Sequence, residues 1–163
     1  MDYNIEVELQ DGKQGWVQAD FIIIDGKPGV IVQDAVIYSR PDLLTKTGKS
    51  FSRLDIVGVK GEQNGFIEIA GKRKDGKWIE TGWIKPSNMS LTEIDVAVAK
   101  YAAKAMLIED KTKQAEAINE ILGNSDLEGS VFLDELRSMV SPSELEEEVL
   151  EDTEVDTTKS ATE

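Results

Sequence analysis

The chain has 163 residues and a formal net charge of −14, and it contains neither His nor Cys. The missing residue types exclude a histidine base, a cysteine nucleophile, a disulfide and a zinc site built from thiolates or imidazoles. No apolar run approaches the roughly 18 residues of a membrane span. The negative charge disfavours binding to nucleic acid and to anionic lipid, so the expected partner is a metal ion, a sugar polymer or another protein.

Residues 1–89 have the pattern of short strands separated by turns, which is typical of a small β-barrel. Asp-Gly turns are predicted at 11–13 and 25–29, because glycine readily adopts the positive φ of a tight hairpin turn. The predicted strands are 5–9, 15–17, 21–24, 35–38, 55–60, 65–70, 77–80 and 82–85.

This first half contains an internal similarity. The segments Ile-Glu-Val at 5–7, Asp-Gly-Lys at 11–13 and Gly-Trp-Val at 15–17 recur as Ile-Glu-Ile at 67–69, Asp-Gly-Lys at 75–77 and Gly-Trp-Ile at 82–84. The second set follows residues 34–66, which have no counterpart before the first set. We therefore expect the chain to begin halfway through a repeat.

Four segments in order carry a family resemblance: 35–41 (Ala-Val-Ile-Tyr-Ser-Arg-Pro), 54–57 (Leu-Asp-Ile-Val), 65–69 (Gly-Phe-Ile-Glu-Ile) and 82–85 (Gly-Trp-Ile-Lys). They resemble the successive strands of a bacterial SH3-like (SH3b) domain. Residues 42–52 and 71–75 depart from that pattern by their length. The resemblance implies a secreted or lipid-anchored binding module for cell-wall glycan, peptide or protein, and it leaves the ligand open.

Aromatic side chains are the candidate ligand contacts, because they supply contact area for sugars or peptides at low entropic cost. The candidates are Tyr38, Phe66, Trp78 and Trp83. Trp16 and Trp83 have an alternative role, since a tryptophan beside a glycine in a small barrel often packs into the core. The basic residues at 72–74 and Lys77 either attract an anionic ligand or form a solvated hairpin tip.

The second half is predicted to be helical. Ser90 and Glu93 form a capping-box pattern that opens a first helix, whose apolar residues recur with a period near 3.6. A second helix is predicted from about Lys111 to Leu122 and ends at Gly123, a residue type that favours helix ends. A third helix is predicted over about 131–140. These helices form a small layer that packs on the barrel or on a partner.

Residues 124–135 match the twelve-position spacing of an EF-hand calcium loop in outline. Oxygen-bearing side chains at positions 1, 3, 5 and 12 are the candidate ligands Asn124, Asp126, Glu128 and Glu135, with glycine at position 6. Calcium requires six to eight converging oxygens at about 2.3–2.6 Å. An ordinary helix–helix turn capped by Ser130 is the alternative, because position 1 is Asn rather than Asp.

The last segment is strongly acidic. Residues 141–163 hold one basic and nine acidic side chains, whereas residues 1–89 hold 12 and 13. A segment with this charge and without aromatic residues buries too little apolar surface to offset the cost of ordering. We expect it to be a mostly disordered tail.

The sequence thus predicts a mainly β, α+β protein: a partial SH3-like repeat over 1–33, a small SH3-like barrel over 34–89, a helical region over 90–140 and the acidic tail over 141–163. We expect a non-catalytic binding module in the periplasm or at the cell surface, with an export signal and a lipid anchor upstream. The expected partner is a cell-wall component, a peptide or a protein. Two alternatives stay open: a calcium-binding helix–loop–helix protein, with calcium as the one cofactor considered, and a cytoplasmic peptide-binding adaptor.

Overall fold

The computed structural model describes residues 4–9, 11–19 and 22–141. Over these residues, nine strands form two sheets and three α-helices follow, which confirms the predicted α+β class. The strands are β1 Asn4–Glu8, β2 Gln14–Gln18, β3 Lys27–Ile31, β4 Ala35–Tyr38, β5 Lys46–Phe51, β6 Ile56–Gln63, β7 Phe66–Lys72, β8 Ile79–Ile84 and β9 Met89–Ser90. The helices are α1 Glu93–Met106, α2 Lys111–Leu122 and α3 Leu133–Val140. Apart from Ser141, the predicted tail lies outside the described residues.

The two sheets differ in size. Strands β1 and β2 form a separate hairpin, and the other seven form one antiparallel sheet in the order β5-β4-β8-β7-β6-β3-β9, which curls into a half-barrel. Strands β6, β7 and β8 form a meander at its centre. Strand β3 pairs with β6, so residues 27–31, assigned above to the partial repeat, belong to the same sheet as residues 35–84.

The strand predictions for this sheet were wrong in four places. Residues 22–24 form no strand, and β3 begins at Lys27, inside the predicted turn at 25–29. Strand β9 pairs only with residues 30 and 31, which leaves Pro28 at a sheet edge, where proline is tolerated. Strand β5 lies in the predicted long connection, and the predicted strands 77–80 and 82–85 are one strand, β8.

Two apolar clusters share strand β3. Because neighbouring strand residues point to opposite faces, Ile31 lies in the core of the half-barrel and Val30 lies among the helices. The sheet core consists of Ile31, Ala35, Ile37, Phe51, Val57, Ile67, Ile69 and Ile84. The helical core consists of Val30, Val98, Ala99, Ala102, Ala105, Ile118, Ile121, Leu127, Phe132, Leu133 and Leu136.

The helices follow the predicted apolar periodicity. Helix α2 has the predicted bounds and ends at Gly123, which confirms that prediction. Helices α1 and α3 each begin later than predicted, at Glu93 and Leu133. Ser90 is not the cap of α1, because its hydroxyl donates to a carboxylate within the helix instead. Among the described residues, no helix has the length and apolar character needed to cross a membrane.

Arg53 joins the sheet to the helices. Its guanidinium Nε lies 2.6 Å from Glu135 Oε2 on α3, and Nη2 donates to the carbonyl of Val131 at 2.9 Å. Nη1 donates to the carbonyl of Val32 at the end of β3. The guanidinium carbon lies 4.8 Å from the ring centroid of Phe132. One side chain in the turn before β6 therefore links the sheet to the helical region through an ion pair, two carbonyls and an aromatic ring.

A buried carboxylate holds the other end of the same junction. Asp95, in the first turn of α1, accepts hydrogen bonds from Ser90 Oγ at 2.6 Å, Ser130 Oγ at 2.8 Å and the Val131 amide at 3.0 Å. Buried carboxylates are tolerated when such donors satisfy them. Asp95 thus ties β9 and the segment before α3 to the start of α1.

We predict that Arg53→Ala lowers the free energy of unfolding by about 2–3 kcal/mol, because it removes a charge-assisted contact and leaves two carbonyls without their donor. Urea denaturation measures this loss. Arg137→Ala is the matched control, since Arg137 pairs with Asp134 at an exposed site and its loss should cost less than about 0.5 kcal/mol. Equal effects of the two substitutions would contradict the role assigned to Arg53.

The turn before β6 contains a perturbed carboxyl group. Burial raises the pKa of the Asp55 carboxyl above its ordinary value of 3.8, and the amides of Ser52 and Lys74, which donate to Oδ2 at 2.8 and 3.4 Å, oppose that shift. A raised pKa means that the folded state binds this proton more tightly than the unfolded state does. The contribution of Asp55 to stability therefore increases as the pH falls through its raised pKa.

Asp55→Asn removes this titration and keeps an oxygen acceptor for the two amides. We predict that the wild type gains stability relative to the variant as the pH falls from about 7 to about 4. Urea denaturation of both proteins across this pH range measures the difference between their free energies of unfolding. The titration of the other carboxylates contributes equally to both proteins and cancels in this difference. A wild type that instead loses stability relative to the variant on acidification would contradict the direction of the shift.

Candidate functional site

The two tryptophan-bearing hairpins pair matching residue types in the same register. In each hairpin an Ile faces an aliphatic residue, a Glu faces the Trp, and the next aliphatic residue faces the Gly. The pairs are Ile5–Val17, Glu6–Trp16 and Val7–Gly15 in β1–β2, and Ile67–Ile84, Glu68–Trp83 and Ile69–Gly82 in β7–β8. Strands β7 and β8 bury their aliphatic pairs in the sheet core, whereas those of β1 and β2 are only partly buried.

Three of the four predicted aromatic contacts lie together on the outer face of the sheet, which is the face opposite the core. Tyr38 pairs with Trp83 across β4 and β8, and the rings of Tyr38 and Phe66 meet edge to face with centroids 5.1 Å apart. Tyr38 and Phe66 are only 8% and 7% exposed, whereas Trp83 is partly exposed. The first two therefore support Trp83 and present little surface of their own.

Trp78 lies apart from these three residues. It directly precedes β8, five residues from Trp83, which corresponds to about 16 Å along a strand. Its side chain is 80% exposed. An exposed indole of this size offers contact area that the folded chain itself does not use. Trp78 thus directly precedes one end of β8, and Trp83 lies near the other end on the outer face.

Between these ends, the outer face contains a groove that we call the isoleucine groove. It has a volume of about 570 Å³, and one wall is the irregular segment 22–24. The lining residues are Ile22, Ile23, Ile24, Ile56, Lys60, Ala70, Gly71, Lys72, Ile79 and Thr81. Among these, Ile24, Ile56 and Ile79 are exposed apolar side chains. Local sequence patterns do not reveal this groove, because residues 21–24 have the apolar pattern of a strand.

Two glycines fix the wall of the groove. A Cβ atom at Gly26 or at Gly58 would overlap the side chain of Ile23, so the absence of side chains at both positions makes the notch that Ile23 fills. Gly26 lies in the turn that leads into β3, and Gly58 lies on β6. The segment 22–24 is therefore held against the sheet by the fit of one isoleucine.

Basic side chains lie in the groove and at the neighbouring β7–β8 turn, and Lys60 and Lys72 line the groove itself. Lys60 lies 3.6 Å from Glu68, and Arg73 lies 3.7 Å from Glu80, which also pairs with Lys49 at 2.8 Å. The three further lysines at the β7–β8 tip make no ion pair with any residue in the described part of the chain; they are Lys72, Lys74 and Lys77. Around this turn, five basic side chains (Lys49, Lys72, Arg73, Lys74 and Lys77) stand against three carboxylates (Asp55, Asp75 and Glu80), which leaves a net charge of +2.

The predicted calcium ligands already have protein partners in part. Asn124 Oδ1 accepts a hydrogen bond from the Asp126 amide at 2.9 Å, and the Glu135 carboxylate pairs with Arg53. Within residues 4–9, 11–19 and 22–141, no cluster of three or more acidic side chains is arranged to hold a metal ion. Asp126 and Glu128 are exposed. Calcium binding by this loop stays a prediction from the sequence.

The fold and the site define an α+β protein whose half-barrel sheet carries a groove on its outer face. Comparisons with protein-family models, with curated proteins and with solved structures find no match to this chain. Its function is therefore inferred from the chemistry of the outer face.

We predict that Gly58→Val displaces Ile23 from its notch, lowers the free energy of unfolding by about 1–3 kcal/mol and speeds proteolysis near residues 22–24. Gly48→Val is the control, because no atom lies within 4 Å of a Cβ built at Gly48 on strand β5. Urea denaturation and limited proteolysis with mass spectrometry measure the two effects. Unchanged cleavage near residue 23 in Gly58→Val would contradict the notch.

Proposed function

We propose that this protein is a non-catalytic binding module with an SH3-like sheet that acts in the periplasm or at the cell surface. Its ligand lies in the isoleucine groove and is a cell-wall glycan or peptide, or a segment of a protein. The observation that carries this proposal is the groove itself, in which exposed isoleucines line a cleft with a few polar side chains, Lys60, Lys72 and Thr81. Binding clefts combine an apolar lining with a few polar groups in this way.

The matched hairpins support the SH3-like part of the proposal. A Cβ at Gly82 would overlap the side chain of Ile37 and approach the Tyr38 carbonyl, so glycine lets strand β4 lie close to β8. No atom lies within 4 Å of a Cβ built at Gly15, the equivalent position of the first hairpin. Packing within the described residues thus accounts for Gly82 and does not account for Gly15. A common origin of the two hairpins accounts for both.

The shape of the groove favours an extended ligand. It lies along the outer face of the central meander, and Trp78, whose indole is exposed, directly precedes the lining residue Ile79 in the chain. An extended peptide or a glycan strand fits such a cleft with one face against the isoleucines and the other face towards water. Trp78 adds a flat apolar surface on which a sugar ring or a peptide side chain can lie.

The substitution Thr81→Trp tests this proposal, because Thr81 is exposed and lines the groove, so a larger side chain fills the cleft without disturbing the core. We expect Thr81→Trp to lower ligand affinity by about tenfold or more, since central contacts dominate binding energy. The measurement is retention on purified peptidoglycan and on arrayed peptides. Thr112→Trp, which places the same side chain at an exposed position of α2, is the control and should bind as the wild type does.

Two results would contradict the proposal. The first is a wild-type chain that binds neither peptidoglycan nor any arrayed peptide. The second is a Thr81→Trp variant that keeps wild-type affinity for the ligand that is found.

A further inference from the structure

The isoleucine groove places positive charge directly beside apolar surface. Lys72 and Ile79 are cross-strand partners on β7 and β8, and both line the groove. Directly opposed side chains in antiparallel strands have Cβ atoms about 4.5–5.5 Å apart. A ligand that covers Ile79 therefore meets the Lys72 ammonium group within the length of one side chain.

The neighbouring turn adds to this charge. Lys74 and Lys77 follow Lys72 at the tip of the hairpin, and neither forms an ion pair with a described residue. The acidic groups nearest to the tip in the chain or by contact are Asp75, Asp55 and Glu80. The Asp55 carboxylate is occupied by two amides, and Glu80 is occupied by Lys49 and Arg73. Asp75 in the same turn and Asp55, which attracts Lys74, offset part of this charge. Five basic side chains, counting Lys49 and Arg73, against three carboxylates leave a net charge of +2 for an external anion.

We propose that the isoleucine groove binds an extended acidic peptide segment of a partner protein, with its apolar side chains against Ile56 and Ile79 and its carboxylates at Lys72, Lys74 and Lys77. This inference rests on the proposed function and narrows its ligand to one class. Successive residues of an extended peptide point to opposite sides, so alternating residues place the apolar side chains on the isoleucines and the acidic side chains on the far side of the peptide backbone. The long, flexible lysine side chains beside the groove reach these carboxylates around the edge of the peptide. Ile56 and Ile79 form the apolar floor of the groove, and Lys72, Lys74 and Lys77 form the basic rim beside it.

The net charge of the whole chain does not prevent this contact. A charge of −14 repels an acidic partner at long range, but screening in physiological salt has a length of about 8 Å. Within that distance the lysines at the rim dominate the potential that a bound carboxylate feels. Binding should therefore be favourable at close range although the encounter is not electrostatically accelerated.

Three labelled heptapeptides test the assignment with the full chain. The first alternates Glu and Leu, the second alternates Lys and Leu, and the third alternates Glu and Ser. We expect the Glu-Leu peptide to bind about tenfold or more tightly than the other two, because only it satisfies both the floor and the rim. Fluorescence anisotropy measures the dissociation constants, and the affinity for the Glu-Leu peptide should fall as salt concentration rises.

The variants separate the rim from the floor. The double substitution Lys72→Glu with Lys74→Glu should weaken binding of the Glu-Leu peptide by about tenfold or more, because it reverses two charges at the rim. Lys111→Glu with Lys113→Glu on α2 makes the same change in net charge away from the groove and should alter the affinity less than about twofold. Circular dichroism spectra of both double variants establish that the fold is kept.

The outcomes distinguish this inference from the proposed function. If Thr81→Trp abolishes binding of a ligand while reversal of the rim charges has no effect, the groove binds but the acidic assignment is wrong. Equal binding of all three peptides also overturns the assignment. The triple substitution Glu146→Gln, Glu147→Gln and Glu148→Gln tests the chain's own acidic segment as the occupant. A markedly tighter peptide complex in this variant would overturn the assignment to a partner protein.

Discussion

The structure depends on the junction between the seven-stranded sheet, at strand β3, and the helical layer. Arg53 and Asp95 form this junction from opposite directions, with Arg53 on the sheet side and Asp95 at the start of α1. Between them, Val30 of β3 lies among the helical core residues. Because the chain has a modest core on each side, neither layer excludes water well without the other. The junction therefore makes one cooperative unit of two small layers.

The same junction also positions the groove. The turn at 52–55 carries Arg53 towards the helices and Asp55 towards the β7–β8 tip, where it accepts the Lys74 amide. The next strand, β6, contributes Ile56 and Lys60 to the groove and Gly58 to the notch that holds Ile23. The helices thus support the outer face indirectly, through a turn that is fixed at both ends. A rigid support of this kind favours binding, because less conformational entropy is lost when a ligand is held.

Local patterns in the sequence predicted some of these elements and not others. Helix α2 was predicted correctly because its apolar spacing and the Gly123 at its end are local signals. Strand β4 was also predicted with its observed bounds, because its short apolar run and the turn residues after it are local signals. Strand β3 was missed because Pro28 and Gly29 are typical of turns, and only a non-local pairing with β6 makes them extended. The groove, the notch and the Arg53 contacts join residues from 20 to 80 or more positions apart, and no local pattern encodes such distances. The aromatic candidates were recognised by type, but their burial depends on the register of β4, β7 and β8.

Native-state hydrogen exchange tests the central claim most directly, because it measures the opening free energy of individual amides. Ile69 lies in the sheet core and Leu136 lies in the helical core. If the junction couples the two layers, the amides of these residues exchange through the same global opening with equal free energies. A Leu136 amide that exchanges through a much less costly opening than the Ile69 amide would show that the helices unfold alone, and it would contradict this account.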